Sequence, residues 1–130
     1  MKLRTIPALL MACLPFHAAL GADFDGSKPL ICAMMEAHDC NAGETCKRGL
    51  PGSVGAPIFL RIDFAKKEIA GPKRTTQIRN MEKSKEQIIL QGTELGLGWT
   101  LALDSADGGL SASMVDRDTA VMLFGACTPQ

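Results

Sequence analysis

The 130-residue chain has no tyrosine and one tryptophan, Trp99, and aromatic residues make up only 5% of it. Histidine is equally scarce. Of the two present, His17 lies in an apolar N-terminal stretch that reads as a leader, so His38 is the sole imidazole of the rest of the chain. This poverty excludes most acid–base and nucleophile arrangements: a Ser-His-acid triad would have to use His38, and no Gly-x-Ser-x-Gly elbow presents a serine. Gly52-Ser53-Val54-Gly55 lacks the Lys-Ser/Thr ending of a phosphate loop. A redox Cys-x-x-Cys pair is also missing.

Charge of one sign is lacking too. The 14 Lys and Arg balance the 14 Asp and Glu. If residues 1–21 are removed, Lys2 and Arg4 leave with them, and the remainder carries 12 cations against 14 acids, a net charge near −2. Such a chain offers no broad field for phosphates or anionic lipid, which argues against nucleic acid or a membrane surface as partner. Lys66-Lys67 and Lys73-Arg74 read as solvated turn residues.

Long apolar runs are absent except at the N-terminus. There, Lys2 and Arg4 precede an apolar stretch over residues 6–20, and small residues follow at Ala19, Gly21 and Ala22. This order predicts a secretory signal peptide over residues 1–21, cleaved after Gly21, with a single β domain over 22–130. Pro7, Pro15 and His17 interrupt the stretch, which is short for a bilayer span of roughly 20 residues. An alternative is a lipoprotein anchored at Cys13, since Leu10-Met11-Ala12-Cys13 outlines a lipobox. Leu14-Pro15-Phe16 continues the apolar run where a polar spacer normally follows. The expected location is periplasmic or secreted.

Beyond residue 21 there are four cysteines, Cys32, Cys40, Cys46 and Cys127, and in an oxidising compartment an even count reads as two disulfides. Three connectivities are possible, and the sequence does not choose among them. The pairing favoured here is Cys40 with Cys46, closing a Gly-containing loop, and Cys32 with Cys127, tying the N-terminal segment to the last strand. Zinc held by Cys32, His38, Cys40 and Cys46 fits poorly, because structural zinc ligands usually come in pairs two to four residues apart. No metal or other cofactor is expected.

Residues 22–56 are rich in Gly, Pro, Asp and Cys and lack sustained periodicity. They read as a disulfide-stapled loop region with one strand around residues 30–32 and a helical turn at 33–37. From Pro57 the pattern changes: Ile58, Leu60, Ile62 and Phe64 alternate with Phe59, Arg61 and Asp63, the period of a half-buried strand. Short segments of the same kind follow at 68–70, 75–81, 87–92, 99–103, 110–115 and 120–124, separated by turn-forming residues. No connection is long enough for a crossover helix. The expected fold is all-β, a small antiparallel meander of about seven strands forming a barrel or sandwich. Its predicted core is Ile58, Leu60, Ile62, Phe64, Ile88, Leu90, Trp99, Leu101, Leu103, Leu110, Ala112, Met114, Met122 and Phe124.

For chemistry, the carboxylates Asp63, Asp104, Asp116 and Asp118 remain, of which Asp104, Asp107 and the Asp116-Arg117-Asp118 run read as turn formers. Asp104 to Gly109 lacks the third acid and the terminal Glu of an EF-hand calcium loop. Polar residues exceed what turns require in Arg74-Thr75-Thr76-Gln77-Ile78-Arg79 and in Leu90-Gln91-Gly92-Thr93-Glu94-Leu95-Gly96-Leu97-Gly98-Trp99. With Phe24-Asp25-Gly26-Ser27-Lys28-Pro29-Leu30, residues 59–64 and the ending Phe124-Gly125-Ala126-Cys127, these stretches resemble a group of small exported bacterial proteins of uncharacterised function. The resemblance spans nearly the whole chain after the leader. It implies export and domain extent, and brings no activity or site residue with it. The expected function is a non-catalytic binding or protein-interaction module, with Arg74, Arg79, Glu94 and Trp99 as its binding residues and an envelope protein or small ligand as partner. The alternative is a small carboxylate-dependent hydrolase or lyase acting on an envelope substrate.

Overall fold

The computed structural model describes residues 23–130. The expected leader, its cleavage after Gly21 and the alternative anchor at Cys13 lie outside the described residues. The described chain forms ten antiparallel strands: β1 Leu30–Asn41, β2 Lys47–Gly49, β3 Phe59–Asp63, β4 Glu68–Ala70, β5 Thr75–Gln77, β6 Asn80–Lys83, β7 Gln87–Glu94, β8 Leu97–Asp104, β9 Gly109–Val115 and β10 Thr119–Pro129. Among these residues the one helical element is a 3-10 turn at Pro51–Val54, and no helix is long and apolar enough to cross a membrane. The fold is all-β, as expected. The strands make one sheet in the order β5-β4-β3-β1-β10-β9-β8-β7-β6, with β2 paired to β1.

The two ends of this path are consecutive in sequence. Only Ile78 and Arg79 separate β5 from β6, a link that spans roughly 10 Å at most. The sheet must therefore curl until its edges meet, giving a half-barrel rather than two stacked sheets. At the seam the Ile78 amide donates to the Lys67 carbonyl (2.8 Å), and the Arg79 amide donates to the Gln91 carbonyl (2.9 Å). The segment read as one strand over 75–81 is thus divided between two neighbours: β5 pairs with β4, and β6 pairs with β7.

The larger correction concerns the N-terminal region. Instead of a loop with a helical turn, residues 30–41 form a 12-residue strand at the middle of the sheet, flanked by β10 and β3 and extended by β2. A bulge between Met34 and Glu36 hides it from a period-two reading. Leu30, Cys32 and Met34 face inward, the extra residue Met35 is exposed, and the next buried position is Ala37, so the spacing jumps from two to three and mimics a helix. Opposite the bulge sits Gly125, where a side chain would collide with the Ala33 carbonyl.

Both disulfides form as expected, Cys32–Cys127 and Cys40–Cys46. Cys32 and Cys127 are direct partners in the β1–β10 register and are buried in the core. That core also contains Leu30, Ile62, Ile88, Leu90, Leu101, Leu103 and Leu110. On β10 the inward residues are Leu123 and Cys127; the predicted Met122 and Phe124 are on the other face, with Phe124 exposed. Ala120 to Phe124 is apolar on both faces, so its own pattern does not set the parity. Ile58 also leaves the core, because β3 begins one residue later and Ile58 is exposed.

An apolar cavity at the Trp99 end of the sheet

The inward row of β8 runs Leu97, Trp99, Leu101, Leu103. Its far half is filled: Leu101 and Leu103 are buried, and the closing residue there is Phe24 from the segment before β1, which packs against the core. Phe24 lies so close to Gly108 that a side chain at Gly108 would collide with its ring. The near half is open. The three-residue strands β4 and β5 stand opposite the eight-residue strands β7 and β8, so the inward side chains of Leu97 and Trp99 have no full wall facing them.

The result is a cavity of about 760 Å³. Trp99 and its cross-strand partner Met114 form one side, with Leu97; Ala56, Leu60 and Ile69 form the other. Its mouth carries the exposed apolar side chains Ile58, Phe59 and Leu95, with Pro57 and Pro72. The polar lining is sparse and charged: Arg61, Lys73, Arg74 and Glu94, with Thr76.

Trp99 faces Gly92 across the β7–β8 pair, and a side chain at Gly92 would run into Cζ2 and Cε2 of the indole. The ring thus covers the glycine, an arrangement in which the missing Cβ makes room for the aromatic. Its Nε1–H is buried without a hydrogen-bond partner. An orphan donor of this kind costs about 1–3 kcal/mol.

The ionic groups of the lining are unequally occupied. Arg74 Nε lies 3.5 Å from Glu94 Oε1, a half-exposed pair of the kind worth about 0–1 kcal/mol. Arg61 donates from Nε to Gln130 Oε1 (2.7 Å) and from Nη1 to Asp63 Oδ2 (3.1 Å). Asp63 is buried, and its carboxyl is held below the usual aspartate range, first by the Lys66 backbone N–H and then by Arg61. Lys73 makes no ion pair among the described residues.

Leu95 sits at the tip of the β7–β8 hairpin with φ +48°, followed by Gly96 at +84°. Positive φ at both central residues marks a type I′ turn, which favours Asn or Asp followed by Gly. A leucine held there costs about 1–2 kcal/mol of backbone strain, and its side chain is 79% exposed. The turn is therefore Leu95-Gly96, while Leu97 and Gly98 already belong to β8.

Of the four residues singled out from sequence, Arg74, Glu94 and Trp99 line this cavity. Arg79 does not: it is exposed on the link between β5 and β6, where its backbone closes the seam. Lys73, Leu97 and Leu95 were missed. A leucine in a glycine-containing turn was the one local signal available for any of them.

The remaining polar candidates are engaged elsewhere. Asp104 Oδ1 accepts from the Ala106 amide and Asp107 Oδ1 from the Gly109 amide. Asp116 Oδ1 accepts from the Asp118 and Thr119 amides, which lowers its pKa. His38 lies on the outer face, its Nε2 2.6 Å from Glu36 Oε1, while Arg48 of β2 donates to the other Glu36 oxygen. These contacts, the Arg48 bond first, hold the Glu36 carboxyl below its ordinary range and pin β2 to β1. Comparison with protein families, with curated proteins and with solved structures finds no match to the chain.

Proposed function

We propose that the chain is a non-catalytic binding domain of an exported, periplasmic or secreted protein, and that it takes a small amphiphilic molecule into the cavity at Trp99. The carrying observation is the cavity itself: about 760 Å³, mostly apolar in its lining, open to solvent, with few charged residues among those that line it. That volume falls within the roughly 300–1,000 Å³ of small-molecule sites, and apolar walls with a few convergent polar groups are their usual make-up. Two further features support the reading. The carboxylates that remained as catalytic candidates are largely occupied by turn amides and arginine, and the one imidazole of the described residues is tied to Glu36 outside the cavity. Two disulfides accord with an oxidising compartment.

The test uses Trp99 as a built-in reporter, since it is the only tryptophan and tyrosine is absent. Titration with an alkyl chain brominated near its end should quench Trp99 emission saturably, with one chain bound per protein. Quenching that rises linearly with bromide concentration, as for free collision, would exclude the proposal.

A further inference from the structure

We infer that the amphiphile carries an anionic head, held at the mouth by Lys73 and Arg74 while its chain lies against Trp99. This rests on the binding reading above and adds the chemistry of the head.

The charges on the cavity wall decide the sign. Arg61, Lys73 and Arg74 contribute three cations, and Glu94 is the only acid among the lining residues. Arg61 is taken up by Asp63 and Gln130, the latter held at Pro29. The charge left over among the lining residues is that of Lys73 and Arg74 against Glu94, which is positive on a domain whose overall balance is slightly acidic. Lys73 and Arg74 are adjacent on the β4–β5 turn, which the Gly71 amide closes by donating to the Arg74 carbonyl (2.8 Å). Lys73 has no carboxylate partner among the described residues, and Arg74 is joined to Glu94 only at 3.5 Å from a half-exposed position. Both cations can turn toward an incoming anion at little cost. An arginine and a lysine side by side offer a forked donor and a point charge, the usual means of holding a carboxylate or phosphate. A cationic head would find Glu94 already shared with Arg74 and would face Lys73 as well. A neutral head would leave the excess charge unanswered.

Calorimetric titration of the disulfide-intact domain with dodecanoate, 1-dodecanol and dodecylammonium, below micelle formation and above the carboxylate's titration range, tests the sign of the head. Dodecanoate should bind at least about tenfold more tightly than dodecanol, and the preference should shrink as salt is added. The double variant Lys73→Gln/Arg74→Gln, at two exposed positions, should lose that preference while retaining dodecanol binding. A parallel titration with dodecyl phosphate distinguishes the two anionic heads, and tight binding of either upholds the inference. Binding of dodecanoate and dodecyl phosphate no tighter than that of dodecanol would overturn the anionic head while leaving the cavity reading intact. Tightest binding of dodecylammonium would overturn it in favour of Glu94. Absence of binding by every chain, dodecanol included, would remove both.

Discussion

The two ends of β9 differ although the same strands build them. At Gly109 the interior is sealed by Phe24, Leu103 and Leu110; at Val115 it opens beside Trp99 and Met114. Apolar residues face inward along the whole row, so the cavity does not come from a polar interior. It comes from missing opposition: the segment before β1 supplies a ring to one end, while β4 and β5 are too short to supply a wall to the other. The disulfides divide in the same way. Cys32–Cys127 lies toward the Phe24 end, where the Cys127 amide donates to the Gly108 carbonyl, and Cys40–Cys46 ties the β1–β2 hairpin at the opposite end of β1.

Removing each bridge should separate the ends most strongly. Replacing Cys32 and Cys127 by alanine opens a loop of 95 residues and should cost about 4–5 kcal/mol. Replacing Cys40 and Cys46, six residues apart, should cost about 2 kcal/mol. Denaturant midpoints measured on the two variants check the difference, and equal losses would contradict it.

Two glycines provide a finer version of the same test. At Gly108, alanine meets the Phe24 ring and the Cys127 carbonyl at a φ of +76°, so overpacking and backbone strain combine to about 3 kcal/mol. At Gly92 it meets the edge of Trp99 and the Gln77 carbonyl; the indole can swing toward the open cavity but the carbonyl cannot, and the backbone there needs no positive φ. Gly92→Ala should therefore cost about 2 kcal/mol, less than at Gly108 because overpacking acts without backbone strain, while shifting Trp99 emission to longer wavelength. A larger loss at Gly92 than at Gly108 would mean that the Trp99 end is as tightly packed as the other.

Leu95→Asn should work in the opposite sense. It relieves the strain of a leucine at positive φ and should stabilise the domain by about 0.5–1 kcal/mol, seen as a higher melting temperature, while weakening amphiphile binding several-fold. If binding is unchanged, Leu95 has no part at the mouth.

A slighter effect belongs to acid. The Asp63 carboxyl titrates below its ordinary 3.8 in the folded state, so its contribution is present above that value and is lost as pH falls through the lower, folded pKa. Asp63 and Phe64 adjoin residues 26–29, which follow Phe24, so this loss falls on the Phe24 end. Thermal melts of Asp63→Asn should be flatter with pH in this acid range than those of the parent chain.

How much of this was legible depends on which signals are local. Alternation over Leu60 to Phe64 and over Leu101 to Leu103 reports directly on a pleated, half-buried strand, and those positions were read correctly. β1 was missed because one inserted residue, Met35, breaks the alternation, and the resulting change of parity looks helical. On β10 the parity was set by the partner of Cys127 across the sheet, which no run of apolar residues on β10 itself discloses. Trp99, Arg74 and Glu94 stood out as aromatic and polar residues beyond what turns need. Lys73 and Met114 did not, since the cavity arises from unequal strand lengths brought face to face by the curl, a relation between residues far apart in the chain.

The most direct measurement is a two-dimensional amide NMR titration of the domain with dodecanoate, in which Trp99 gives the only indole signal. Saturable shifts at the Trp99 indole and at Leu97 and Met114, with Leu103, Gly108 and Leu110 unmoved, are the predicted result. Shifts centred on the Phe24 end, or none at the indole at concentrations that saturate calorimetric binding, would contradict an open site at Trp99.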